Sequence, residues 1–167
     1  EAMPDERVEV KGSEPWTSPW TADGENPRIV SSPIDESWFA EIPNPYRLAI
    51  RIAPPGQAGD LARPLPEEER NQPWPRTLGQ IFVRGEPLVQ VESLPLLRSM
   101  EGSWIVSADG ATLHVHLPGD LPPERLLPTL EWSVRNRIFA PYRRSLRHIH
   151  VRGFVFEHCA NQGPFPQ

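Results

Sequence analysis

Apolar and polar residues alternate with a period of two along much of this chain, and windows with a helical period are rare. Val8 and Val10 alternate with Arg7, Glu9 and Lys11 before Gly12-Ser13 closes the run, which predicts a strand with one buried face. Leu130, Trp132 and Val134 alternate with Glu131, Ser133 and Arg135 in the same way. Gln80-Ile81-Phe82-Val83 and Leu88-Val89-Gln90-Val91 flank Arg84-Gly85-Glu86 and predict a hairpin. A second hairpin is predicted from Trp104-Ile105-Val106 and Leu113-His114-Val115-His116-Leu117. Between them lies Ala108-Asp109-Gly110, where Asp-Gly suits the positive φ angles of a tight primed turn. A further short strand is expected over 46–52. The one predicted helix runs from an N-cap at Ser93 to Met100, with Leu94, Leu97 and Met100 sharing a face and Gly102 ending it.

Prolines recur throughout 15–75 and leave little room for helices of ordinary length. Pro15, Pro19, Pro27, Pro33 and Pro43 stand among Trp16, Trp20, Trp38 and Phe39, so 14–44 reads as ordered loop pinned by aromatics. Residues 54–69, with their prolines and the run Glu67-Glu68-Glu69, read as an exposed excursion. Near the end, Ile149 and Val151 alternate with His148, His150 and Arg152. Gly153 then intervenes and the apolar parity shifts to Phe154 and Phe156. This predicts a strand that bends at Gly153 and continues in a new direction. Val8-Glu9-Val10-Lys11-Gly12 and Ile149-His150-Val151-Arg152-Gly153 share one apolar-polar-apolar-basic-glycine pattern. The two runs would stack as successive coils of a solenoid if the text between them is an insertion. A single β-sandwich would contain such strands as well.

Composition narrows the class without changing this picture. Proline and glycine supply 33 of the 167 residues, below the roughly 25–30% that marks a low-complexity chain. One cysteine, Cys159, excludes a disulfide-stapled scaffold and a cysteine-based zinc site. No apolar run approaches the ~18 residues of a membrane span. The net charge of −5 argues against a nucleic-acid partner. The charge is uneven: fourteen acids oppose six bases over 1–69, whereas 131–152 holds Arg135, Arg137, Arg143, Arg144, Arg147 and Arg152 against one acid. That basic stretch reads as solvated arginines, or else as a site for an anionic sugar or phosphate. The chain opens on Glu1-Ala2-Met3-Pro4, without the basic and apolar regions of a signal peptide, and is expected to be a fragment whose export signal lies upstream.

The run Ile149-His150-Val151-Arg152-Gly153-Phe154-Val155-Phe156-Glu157-His158-Cys159-Ala160-Asn161-Gln162 resembles a large group of bacterial right-handed parallel β-helix proteins with a pectate-lyase-like fold. Gln80-Ile81-Phe82-Val83-Arg84-Gly85 is similar to a strand-turn run of the domain inserted in that group, with Arg84 where Asp is usual. The segment from Met3 to Glu14 is similar to the coil before the insertion. The resemblance implies a mainly β chain with right-handed parallel β-helix coil segments at both ends and an inserted antiparallel β-rich domain. It divides the chain into an early coil (1–14), the inserted domain (15–128) and truncated returning coils (129–167). Members with this layout include xylosidase-like and fucosidase-like glycoside hydrolases. The implied parent is therefore an exported carbohydrate-active protein, secreted, periplasmic or on the cell surface, that takes a polysaccharide or oligosaccharide. The alternatives are a polysaccharide lyase and a non-catalytic carbohydrate-binding or structural β-helix protein, because a fold does not fix an activity.

Glycoside hydrolysis needs two carboxyl groups about 5–5.5 Å or 6.5–9.5 Å apart. The coil-like text offers only Glu9, Glu131 and Glu157. Glu9 and Glu131 read as solvated surface groups, Glu157 as an outward residue, and no catalytic residue is assigned. His158, Asn161 and Gln162 are the candidate substrate-binding residues, at the rim of a groove. For His158 and Asn161 the competing role is to satisfy backbone groups at a coil turn. His114-x-His116 and His148-x-His150 each place two imidazoles on one strand face, yet read as surface residues, so no metal and no cofactor is expected. Trp16, Trp20, Trp38 and Trp74 either pack beneath loops or stack on sugar rings.

Overall fold

The hairpin around Asp109-Gly110 forms the centre of the larger sheet in the computed structural model, which describes residues 3, 6–50, 62–64, 77–140 and 145–160. Strands β10 (Ser103–Val106) and β11 (Thr112–His116) pair antiparallel, with Trp104 opposite Val115. β4 (Ile29–Pro33) adds to β11, β3 (Thr21–Ala22) adds to β4, and β9 (Val89–Gln90) joins β10 in parallel, giving the order β3-β4-β11-β10-β9. A four-stranded antiparallel sheet faces it in the order β2-β12-β7-β8, from Ser13–Pro15, Leu130–Ser133, Ile81–Val83 and Glu86–Pro87. β5 (Leu48–Ile50) and β6 (Ala62–Pro64) form a separate antiparallel pair. The chain is mainly β, with two short α-helices, α1 (Leu94–Ser99) and α2 (Pro123–Leu126), and no sheet closes into a barrel among the described residues.

Period-two alternation builds the core between the two sheets. Trp104 and Val106 from β10, Leu113 and Val115 from β11, Ile81 and Val83 from β7, and Leu130 and Trp132 from β12 share one buried cluster with Trp16, Phe39 and Tyr46. The intervening positions face the other way. Ile105 and Ile29 pack with Val91 and with Leu97 of α1 in a second, smaller core on the outside of the larger sheet. Ser93 caps α1 as its composition suggests, its hydroxyl accepting from the Leu96 N–H, and Gly102 follows at φ +69°. Of the three residues expected to share the buried face, only Leu97 is buried, and Leu94 and Met100 are exposed. Met100 is the C-cap beyond the last helical residue, and each i, i+3 step falls about 60° short of a full turn, so the three positions fan out across the helix.

Four local expectations are corrected. The primed turn is at Arg84-Gly85, where φ is +54° and +79° and Val83 pairs with Glu86. In the other hairpin only Gly110 is left-handed (φ +71°). There the Ser107 N–H donates to Thr112 O at 2.8 Å across a longer loop, and the Asp109 carboxylate accepts from the Ala111 N–H at 3.0 Å. The run after Arg84-Gly85 does not stay in its hairpin: Glu86–Pro87 pairs with β7, and Val89–Gln90 crosses to the larger sheet. The proline-rich text at 14–44 is not all loop, because Ile29–Pro33 is a central strand with five paired positions on β11. Of the strand expected over 46–52, Tyr46 lies in a 3-10 turn (Pro45–Arg47) and β5 begins at Leu48, with 51–52 outside the described residues.

Segments near the two ends of the described residues meet. β1 (Val8–Lys11) pairs in parallel with β13 (Phe154–Glu157), Val8 opposite Phe154 and Lys11 opposite Glu157. The parallel partner expected for β1, Ile149 to Arg152, is not a strand, and Ile149 and Val151 are exposed. Gly153 (φ +79°) turns the chain so that the following segment takes that place. One parallel pair of four-residue strands beside a mixed sheet and an antiparallel one does not by itself make a β-helix.

Gly12 is the crossing point where these ends join the sheets. Its N–H donates to Glu157 O at 2.9 Å, and its carbonyl accepts from the N–H groups of Val134 and Arg135, both at 3.0 Å. A Cβ on Gly12 would lie 2.9 Å from both Cys159 Cα and His158 O, so the close approach of three backbone segments requires glycine here.

Candidate functional site

Strand parity places Phe82 and Glu131 opposite each other on the outer face of the four-stranded sheet, since Ile81, Val83, Leu130 and Trp132 occupy the inner one. His158 docks on that face. Its ring stacks on Phe82 with centroids 3.7 Å apart and planes 13° from parallel. Its Nδ1 is 2.9 Å from Ser13 Oγ and 3.3 Å from Glu131 Oε2, and its side chain is 8% exposed. The backbone of His158 is left-handed (φ +61°), a conformation that this enclosure over-determines.

A charged layer covers the imidazole. Lys11 Nζ lies 3.6 Å from Glu131 Oε1 and 3.5 Å from Glu157 Oε1, bridging a carboxylate of the sheet and one of β13. The Ser13 hydroxyl donates to Glu131 Oε2 at 2.6 Å. Burial alone would push the Glu131 carboxyl up, but the Ser13 hydrogen bond, the Lys11 ammonium and His158 together hold it below the ordinary carboxylate range. Glu131 is thus not the solvated surface carboxylate its sequence context suggests.

The chemistry of this cluster favours structure over catalysis. A general acid needs a raised pKa, and Glu131 is shifted the other way. A serine nucleophile needs its proton aimed at the imidazole, whereas Ser13, itself buried, gives its proton to Glu131. The Ser13–Glu131–His158 contacts rivet the chain after β13 to the sheet formed by β2, β12 and β7. Of the three candidate substrate-binding residues, His158 is therefore enclosed in a polar junction, and Asn161 and Gln162 lie outside the described residues.

The remaining histidines divide. His114 and His116 do share one strand face, but His116 is buried and His114 is half-buried, contrary to the surface role expected for both. The Leu97 carbonyl can only accept, so His116 donates from Nδ1 (2.7 Å), and its Nε2 faces the Asn26 side-chain amide at 3.4 Å. Burial lowers the pKa of His114, with Asp109 opposing the shift. His148 and His150 are exposed and lie outside any strand. Among the described residues no group of three or more His, Cys, Asp or Glu side chains is arranged to hold a metal.

The described residues line two open grooves of about 400 Å3 each, among others. One is apolar and runs over the parallel pair, lined by Val10, Ile138, Phe139, Ile149, Phe154 and Phe156 among others. The other lies where the 3-10 turn Glu36–Phe39 meets the chain leaving β12, and Trp38, Glu41, Ile42, Val134 and Arg135 help to line it. Among the tryptophans, Trp16 packs on Trp20 and on Trp132, with ring centroids 5.2 and 4.6 Å away. Trp38 keeps 38% of its surface exposed at the second groove, and Trp74 is outside the described residues.

The fold has a solved counterpart. It is similar to XylC in the structure described as the complex of XylC with xylose, with a TM-score of 0.64 and 21% sequence identity over 95% of this chain. The match takes in 25% of the XylC chain, so this chain spans about a quarter of that protein's length. No protein-family model matches the chain, and no curated protein sequence matches it either. No helix among the described residues is long and apolar enough to cross a membrane.

Proposed function

We propose that this chain is part of a longer, exported carbohydrate-active protein whose parent activity is glycoside hydrolysis. In this reading β1 and β13 belong to coils of a right-handed parallel β-helix, and the two-sheet body, which takes in β2 and β12, is the β-rich domain inserted between them. The observation that carries the reading is the parallel pairing of Val8–Lys11 with Phe154–Glu157 beside an uncovered apolar groove. Phe139, Ile149 and Phe156 are 56%, 49% and 42% exposed there, which suits the inner face of a solenoid awaiting its next coil. The likeness to XylC supports it, because it covers nearly all of this chain and leaves three-quarters of the larger one unmatched. XylC is described with xylose, which makes xylosides the first substrates to try.

The catalytic carboxylates lie, on this proposal, outside residues 1–167, since Glu131 is committed to Lys11 and Ser13. The test compares the full-length gene product with the 167-residue chain on aryl β-xylosides, aryl α-fucosides and xylo-oligosaccharides. Turnover by the long form alone is expected. Failure of the long form on every glycoside, or turnover by the short chain that Glu157→Gln abolishes, would overturn the reading.

A further inference from the structure

The geometry points to a sugar-binding subsite in the groove beside Trp38, selective for pyranosides whose ring substituents are all equatorial, such as β-linked xylosyl or glucosyl units. The inference rests on the carbohydrate reading above and adds to it a place on this chain and a stereochemical class.

Trp38 is the outermost ring of an otherwise buried aromatic group. Its indole meets Trp132 edge-on, with centroids 6.3 Å apart and planes at 77°, and Trp132 in turn contacts Phe39 and Tyr46. Trp132 is 2% exposed, so Trp38 rests on a buried ring while 38% of its own surface stays open to the groove, and a large ring with two rotatable bonds loses little freedom on binding. An all-equatorial pyranose has axial C–H groups on both faces, so either face can lie flat on an indole; an axial hydroxyl closes one of the two.

Polar groups border this platform. Glu41 is exposed and makes no hydrogen bond or ion pair among the described residues, which leaves both carboxylate oxygens for sugar hydroxyls. Arg135 is paired with Glu14, and its planar guanidinium has donors beyond those one carboxylate takes. Charges of both signs along the groove suit a neutral polyhydroxyl ligand better than an anion, which Glu41 would repel. Ile42 and Val134 supply an apolar floor, and about 400 Å3 falls within the range of small-ligand sites, roughly 300–1,000 Å3.

The test titrates the 167-residue chain with xylotetraose, cellotetraose and a β-1,4-galactotetraose, following tryptophan fluorescence and the indole N–H resonances. Xylotetraose and cellotetraose are expected to bind and to shift the Trp38 resonance, and the galacto-configured oligomer to bind at least tenfold more weakly. Trp38→Ala should abolish binding with an unchanged circular-dichroism spectrum. Should that variant lose its fold, Glu41→Ala, whose side chain touches no partner, should weaken binding at least threefold in a folded protein. No binding by the unmodified chain, equal binding of all three oligosaccharides, or binding insensitive to both substitutions overturns the subsite. The parent reading fails separately: binding at Trp38 with no turnover by the full-length protein removes the hydrolase and leaves the subsite. Turnover with no binding at Trp38 does the reverse.

Discussion

Replacing Gly79 with alanine tests whether the core is organised around Tyr46. Gly79 lies just before β7, and a Cβ added there would sit 2.7 Å from Tyr46 Cζ and closer still to Cδ1 and Cε1. Tyr46 is 1% exposed and packs against Trp132, Trp104 and Phe39 with centroids 5.6, 6.0 and 6.2 Å away, so the ring has nowhere to move. Its hydroxyl donates to Gln80 O at 2.9 Å, with Ser133 O at 3.2 Å. Overpacking a close-packed core costs about 1–3 kcal/mol. Pulling the hydroxyl from its buried acceptors adds about 1–2 kcal/mol. The combined loss of about 2–5 kcal/mol corresponds to a fall in Tm of roughly 4–20 °C for a chain of this size. Urea unfolding followed by tryptophan fluorescence measures the loss. Tyr46→Phe, which removes only the hydroxyl, should lose about 1–2 kcal/mol. In Gly79→Ala/Tyr46→Leu the clash is gone, and the double variant should be more stable than the sum of its parts. A Gly79→Ala protein within about 0.5 kcal/mol of the parent, or strict additivity in the double variant, would refute the argument.

Three further outcomes follow from the same structure. Gly12→Ala should destabilise by about 1–3 kcal/mol, because both contacts at 2.9 Å are to backbone, and hydrogen exchange should show the Val134 and Arg135 amides losing protection first. Glu131→Gln should change the acid limb of stability. The Glu131 carboxyl is depressed in the folded chain, so its contribution is complete above its ordinary value of 4.5 and is lost as pH falls through the lowered one. Urea midpoints of parent and variant should therefore differ most above pH 4.5 and converge on acidification; a gap that stays constant would contradict the pairing. His116→Leu should lose about 1–3 kcal/mol by leaving the Leu97 carbonyl without its donor, measured by thermal unfolding, whereas His150→Leu on the surface should be near neutral.

Caps and strand parity carried over into structure, whereas turn type, strand partners and register did so only in part. Ser93 capping α1, and Trp104 and Val106 alternating into the core, need only neighbours a few residues away. Ile29–Pro33 escaped because it lacks alternation: Val30 faces the main core and Ile29 the smaller one, so both are buried. Ser32 is buried too, accepting the Trp16 Nε1–H at 2.7 Å. A strand covered on both faces shows no period of two. The meeting of the chain ends was legible as a pattern, but its register was not. Ile149 to Arg152 imitates Val8 to Lys11 more closely than Phe154–Glu157 does, yet Gly153 sets which run arrives beside β1. The polar junction had one visible member, His158; its partners Ser13, Phe82 and Glu131 come from three separate strands that only the fold collects.

The adjacency of β1 and β13 also constrains the order in which this chain folds. Val8 and Phe154 are far apart in sequence, so their contact closes the largest strand-paired loop among the described residues, at the greatest entropic cost of closure. The hairpin at β10–β11 and the Arg84-Gly85 turn close short loops and can form early. Once β2 and β12 have paired, Gly12 and Arg135 stand side by side and the remaining closure is short. The antiparallel body thus acts as a template that brings the two ends into register, and on a ribosome it would have to be complete before the residues after Gly153 could find their place.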